Sequence, residues 1–226
     1  MKRETYELLE HYMLSCMEDS AHDAQHIYRV LYNALLIAKA ETDVDNDVLL
    51  AACLLHDIGR KEQFADPTLC HAAVGSEKAR TFLLQHGFGE DFADRVAHCI
   101  VAHRFRKANP PQTIEAKILF DADKLDATGA IGIARTLQFK ADTKSAIYTL
   151  RPDGSVSNGE DEEGSSFFRE YQFKLKKLYD RFYTAAGERM ARERERIAQD
   201  YYESLYREVS LGYTDGARQL AGMLEE

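Results

Sequence analysis

No apolar run in this chain of 226 residues approaches the roughly 20 residues that a membrane-spanning helix needs. A helical membrane protein is thereby excluded. Excess positive charge is missing too. The chain carries 29 Lys and Arg against 38 Asp and Glu, a formal charge of −9 at pH 7. That argues against a surface for polymeric nucleic acid. Cysteine is sparse. Cys16, Cys53, Cys70 and Cys99 show no paired metal spacing, read as reduced thiols, and lead us to expect a cytoplasmic protein. No signal peptide is expected, because Lys2-Arg3-Glu4 opens a charged amphipathic segment. Strand signals are few, and internal repeats are absent.

Helical spacing is abundant instead. It covers roughly 4–18, 23–41, 46–58, 71–86, 90–104, 113–140, 166–185 and 188–211. The expected fold is therefore all-α: a single helical domain over 1–226, with its core in 20–140 and C-terminal helices over 167–226. The stretch 141–166 is polar and glycine-rich. It is expected to form a loop or a lid, with a short hairpin around Pro152-Asp153-Gly154. The last helices are charge-dense and read as solvated faces with a packing stripe of Met190, Ile197, Tyr201 and Leu205.

The chemistry concentrates at His56-Asp57. This pair ends the apolar run Leu49 to Leu55, and Gly59, a natural helix stop, follows. Burying an imidazole and a carboxylate without partners costs several kcal/mol (roughly 2–7 for a polar group, more for a charge). A divalent ion satisfies both, and so does a bond between the two residues; the pair alone fits either reading. His26 lies at the edge of the face formed by Ile27, Val30, Leu31, Ala34 and Leu35, behind an N-cap at Asp23. Asp123 follows Leu119 and Phe120 by one turn on a helix capped by Thr113. Asp121 lies roughly 200° from Asp123 around that helix and is expected to be solvated. Two imidazoles and two carboxylates suit Mn²⁺, Fe²⁺, Zn²⁺, Co²⁺ or Mg²⁺, with coordination positions left for water and substrate.

The order His, His-Asp and a distant Asp within Ala-Asp-Lys resembles the HD-domain phosphohydrolase superfamily. The stretches HDAQHIYRV, LLHDIG, VAHCIVAHRF and EAKILFDADKLDATGAIGIAR resemble its small stand-alone bacterial hydrolases, as do Lys174-Leu175, Lys177-Leu178, Thr184, Gly187 and Arg194. The resemblance covers nearly the whole chain, most weakly the first 20 residues and 140–166. It implies an HD helical bundle with a C-terminal helical extension. It also implies His26, His56, Asp57 and Asp123 as metal ligands, and an ion pair from Arg29 behind them. His71 and His103 fit the positions at which one branch of the superfamily holds a second ion. The expectation is a single ion, with His71 and His103 on phosphate and the second ion as the alternative. His98 lies about 140° from His103, so one ion cannot take both. Arg60 and Lys124 are expected to bind phosphate oxygens, and His22 to border the cleft. The implied activity is hydrolysis of a small phosphorylated metabolite, with a nucleotide as the expected substrate, by a metal-activated water. No membrane or polymeric nucleic acid partner is expected, and a homo-oligomer is compatible with the sequence. A di-iron oxygenase, or a silent ligand sensor on the same scaffold, are the alternatives.

Overall fold

The computed structural model describes residues 1–17, 24–104 and 109–224. His22 and the N-cap expected at Asp23 lie outside these residues. The described chain is all-α, with C-terminal helices added to the bundle. It runs α1 Arg3–Met17, α2 Ala24–Ala38, α3 Asn46–Leu55, α4 Arg60–Ala65, α5 His71–Gln85, α6 Glu90–Ala102 and α7 Ile114–Leu125. There follow α8 Gly129–Asp142, α9 Phe167–Phe173, a 3₁₀ segment Leu175–Asp180, α10 Ala185–Leu211, a π-helical turn Gly212–Gly216 and α11 Ala217–Leu224. Among the described residues there is no β-sheet, only isolated bridges between Ala146 and Ser166 and between Leu150 and Val156.

The chain forms two compact units. The first comprises Met1–Asp126 and Phe182–Glu188, and the second Ala127–Arg181 and Arg189–Glu226. In the first unit α3 is the axis of the core. Asp45 caps it by accepting from the backbone N–H of Asp47 and Val48. Val48, Leu49, Ala51, Ala52, Cys53, Leu54 and Leu55 are all fully buried, and α1, α2, α6 and α7 pack around them. A helix apolar on every side has to sit at the centre of a bundle, and its C-terminal end carries His56 and Asp57 into the interior.

The segment expected as one helix over 113–140 is two. Thr128 is extended at φ −108° and ψ 157°. Gly129 takes φ +61°, a conformation that glycine adopts without strain. The expected helix over 166–185 also breaks, into α9 and the 3₁₀ segment, with Lys174 at φ −128° and ψ −63° between them. The short α4 and the terminal α11 carry too little periodic sequence to have been foreseen.

In the second unit the expected hairpin forms. Arg151 N donates to Ser155 O at 2.8 Å and Gly154 N to Arg151 O at 2.9 Å, with Gly154 at φ +80°. Phe167 and Phe168 are fully buried. Tyr171 stacks on Tyr202 with ring centroids 4.1 Å apart.

Candidate metal centre

The His56-Asp57-Ile58-Gly59 turn leaves α3 and runs directly into α4. Gly59 is at φ −94°, so it is not the left-handed helix stop that the sequence suggested. Its lack of a side chain serves a close approach instead. A Cβ there would lie 2.3 Å from the His71 carbonyl oxygen and 2.6 Å from Gly75 N. The turn thus sits directly on the first turn of α5, which begins with His71.

The first unit gathers four imidazoles and two carboxylates in its interior. His26, His56, Asp57, His71 and His103 are all at most 3% exposed, and the Asp123 side chain is 26% exposed. They form two triads. In one, His26 Nε2 lies 3.4 Å from His56 Nε2 and 3.3 Å from Asp123 Oδ1. In the other, His71 Nε2 lies 3.3 Å from His103 Nε2, and Asp57 Oδ1 lies 3.5 Å and 3.6 Å from these two nitrogens. Asp57 faces both, because its Oδ2 lies 3.6 Å from His26 Nε2 and 3.8 Å from His56 Nε2. Each triad is a group that could hold a metal ion.

The protons test that fit. His56 Nδ1 lies 2.8 Å from Cys53 O, and His103 Nδ1 lies 2.6 Å from Ile100 O. A carbonyl only accepts, so each Nδ1 carries the hydrogen, and in the neutral ring Nε2 is a bare lone pair. Those lone pairs face other acceptors across the cluster. Asp57 Oδ2 is buried and accepts from no donor among the described residues. A divalent cation resolves both frustrations. Ligands about 2.0–2.1 Å from a zinc-sized ion lie roughly 3.0–3.4 Å from one another. The 3.3 and 3.4 Å separations between Nε2 atoms match that span.

The charges point the same way. Burial works against a charged His26, yet hydrogen bonds to Asp123 and Asp126 overcome it and lift its pKa to about 9. A site that holds a proton so firmly also favours a cation. Burial drives His56 down to about 4 and His71 to about 3, so both are neutral, ligand-competent imidazoles at pH 7. Burial alone would raise Asp57 and Asp123. The surrounding imidazoles, joined at Asp57 by the Arg60 guanidinium, hold both below the usual carboxylate range.

Of the other expected contacts, Arg60 is at the cluster, donating from Nε to Asp57 Oδ1 at 2.9 Å. The Lys124 ammonium lies 4.5 Å from the Phe182 ring centroid and 5.9 Å from that of Phe120. His98 stands apart and accepts from Gln112 N at 3.4 Å. The ion pair expected of Arg29 is made with Asp126, at 2.7 Å from Nε and 3.1 Å from Nη2. Asp126 in turn lies 2.7 Å from His26 Nδ1, a carboxylate–histidine link that orients a ligand and raises its basicity. Asp126 was not singled out from the sequence. The signal was there, as Asp126 follows Asp123 by three residues just as Arg29 follows His26, which places each pair on one helical face.

The solvated Asp121 expected from helix phase is wrong. Asp121 is fully buried. It accepts from Tyr183 N at 2.9 Å, and from Thr184 N and Thr184 Oγ1 at 2.7 Å each. The segment that covers it comes from about 60 residues later in the chain, and one helix read alone cannot reveal such a cover. Burial still leaves its pKa raised despite those donors.

Comparison with known proteins agrees with this geometry. The HD domain family matches residues 23–128. The Bacillus subtilis protein YpgQ is 30% identical over 196 residues, covering 85% of this chain and 86% of YpgQ. YpgQ solved in complex with ADP superposes with a TM-score of 0.69 at 28% identity, covering 90% of this chain and 97% of that one. An HD-superfamily hydrolase from Bacillus thuringiensis gives a TM-score of 0.69 at 29% identity, over 92% of this chain and 98% of the other. With the His, His-Asp and Asp positions gathered at one point of an all-α bundle, this chain belongs to the HD-domain superfamily.

Proposed function

We propose that this protein is a metal-dependent phosphohydrolase of small phosphorylated metabolites, with nucleotides as the substrate class. The observation that carries the reading is Asp57, a buried carboxylate with one oxygen toward His26 and His56 and the other toward His71 and His103. With that disposition Asp57 would serve both triads, which supports two divalent ions, one more than the sequence led us to expect. His26, His56 and Asp123 would hold the first, and His71 and His103 the second. Bound there, such ions supply an acidified water and Lewis-acid polarisation of a phosphoryl oxygen. The chain's own residues do the rest. Arg60 spends Nε on Asp57 and keeps Nη2 for a phosphate oxygen, while Lys124, next to Asp123, is the second proposed phosphate contact. The ADP complex of YpgQ supports a nucleotide as the ligand. Among the described residues no helix is long and apolar enough to cross a membrane, and the cysteines are free. Both fit the cytoplasmic setting that we infer.

The test is a hydrolysis screen. Chelator-treated protein is offered phosphomonoesters and nucleoside di- and triphosphates, with Mn²⁺, Co²⁺, Mg²⁺, Zn²⁺ or Fe²⁺ added in turn. Turnover should be absent in chelator, return with at least one ion, and vanish in Asp57→Ala. Failure to cleave any phosphate ester with any ion would overturn the reading. The second triad also meets the ligand requirement of a di-iron oxygenase. Two tightly held irons per chain with O₂ uptake, and no phosphate release, would select that chemistry.

A further inference from the structure

We infer that Gln63 is a positioning residue that fixes the His71 tautomer, so that a bare Nε2 faces Asp57 and His103. A chain of hydrogen bonds runs from Leu69 through Gln63 to His71. Gln63 Nε2 lies 3.1 Å from the Leu69 carbonyl oxygen. Gln63 Oε1 lies 3.5 Å from Arg60 Nη1 and 2.8 Å from His71 Nδ1. Leu69 O can only accept and the guanidinium can only donate. Turning the amide over would set two oxygens against each other at one end and two donors at the other. The amide is therefore held with Oε1 toward His71. An oxygen acceptor there requires the hydrogen on Nδ1, which leaves Nε2 as a lone pair. That lone pair points at the gap shared with His103 Nε2, 3.3 Å away, and Asp57 Oδ1, 3.5 Å away.

The other three imidazoles are held differently. Backbone carbonyls fix His56 and His103, and Asp126 faces His26. Only His71 depends on a neutral side chain, which lies on the six-residue α4. That helix is locked to α5 by the close approach at Gly59. As an element of metal binding, the inference rests on the two-ion reading given above. As a statement about the tautomer of His71, it stands alone.

The experiment uses the full chain and two variants, Gln63→Leu, close in size with no acceptor, and Gln63→Glu, which keeps one. In chelated protein, ¹⁵N shifts of the His71 ring report the tautomer directly. Wild type and Gln63→Glu should carry the hydrogen on Nδ1, and Gln63→Leu should move it largely to Nε2. Zn²⁺ titration should give two ions per chain in wild type and Gln63→Glu, with the second bound about 10–100-fold more weakly in Gln63→Leu. A hydrogen on Nε2 in wild type, or an unchanged tautomer in folded Gln63→Leu, would overturn the inference. A single ion per wild-type chain would instead sink the two-ion reading, and the tautomer result would then decide the role of Gln63 by itself.

Discussion

Gly59 offers a sharp test of how the centre is held together. In Gly59→Ala the new methyl group would sit 2.3 Å from the His71 carbonyl oxygen and 2.6 Å from Gly75 N. Ordinary contact begins about 1 Å further out, so the HD turn and the start of α5 must separate by about that much. Both neighbours are backbone, and no flexible side chain can give way. Overpacking of this kind costs roughly 1–3 kcal/mol, or about 2–12 °C of melting temperature for a chain of this size. The displacement falls on His71, the first residue of α5, and opens the second triad. The first triad draws on α2, α7 and the end of α3 and is left standing. Gly59→Ala should therefore keep one ion, lose the other, and lose about 100-fold in turnover, as a 1 Å misplacement does. Gly75→Ala is the control. Its Cβ would lie 3.4 Å from Gly59 N and 3.5 Å from His56 O, and alanine in a helix gains roughly 0.5–1 kcal/mol over glycine. That variant should melt at or above wild type with both ions bound. Thermal melts and metal analysis of the two variants decide the matter. A Gly59→Ala protein with wild-type stability and metal content would refute the reasoning, and so would a Gly75→Ala protein more damaged than Gly59→Ala.

Two further outcomes follow from the charges. In chelated protein, His56 and His71 stay neutral when folded, with pKa values of about 4 and about 3 against an unfolded value of 6.5. Their contribution to stability is complete above pH 6.5 and is lost as pH falls through their folded values, each with a slope of at most about 1.4 kcal/mol per pH unit. His26, raised to about 9, contributes fully below pH 6.5 and loses that contribution as pH climbs through 9. Melts across pH 4–10 in chelator should therefore peak near pH 6.5; a plateau rising to pH 9 would contradict the assigned directions. The two aspartates of α7 should separate cleanly. Asp123→Asn should abolish binding at the first triad and, in chelated protein, lower the melt below pH 9 by removing the carboxylate that most supports the His26 charge, whereas Asp121→Asn should leave Zn²⁺ binding in place and cost about 1–3 kcal/mol of stability by disturbing a buried carboxylate with backbone donors. Isothermal titration with Zn²⁺ beside denaturant melts reads both, and a normal melt for Asp121→Asn would show that its bonds to Tyr183 and Thr184 contribute nothing.

The sequence made some of this legible for a physical reason. His26, His56, Asp57 and Asp123 stand on or beside apolar faces, and a charged group in such a place needs a partner that local pattern can point to. The helices with strong apolar periodicity, α2, α3, α5 and α6, appear close to where that pattern sets them. What stayed hidden depends on contacts between distant segments. Asp121 is buried by Tyr183 and Thr184, its function decided some 60 residues downstream. Gln63 reads as an ordinary polar residue of a short helix until α5 is laid against it. Gly59 reads as a stop signal, yet its glycine is demanded by the backbone of His71 and Gly75. The same distinction governs the metal count. His71 and His103 each look like a polar residue near a helix end, which a cap or a phosphate contact would explain. Only the packing of α5 against α6 sets their Nε2 atoms 3.3 Å apart, where two lone pairs repel unless something positive lies between them.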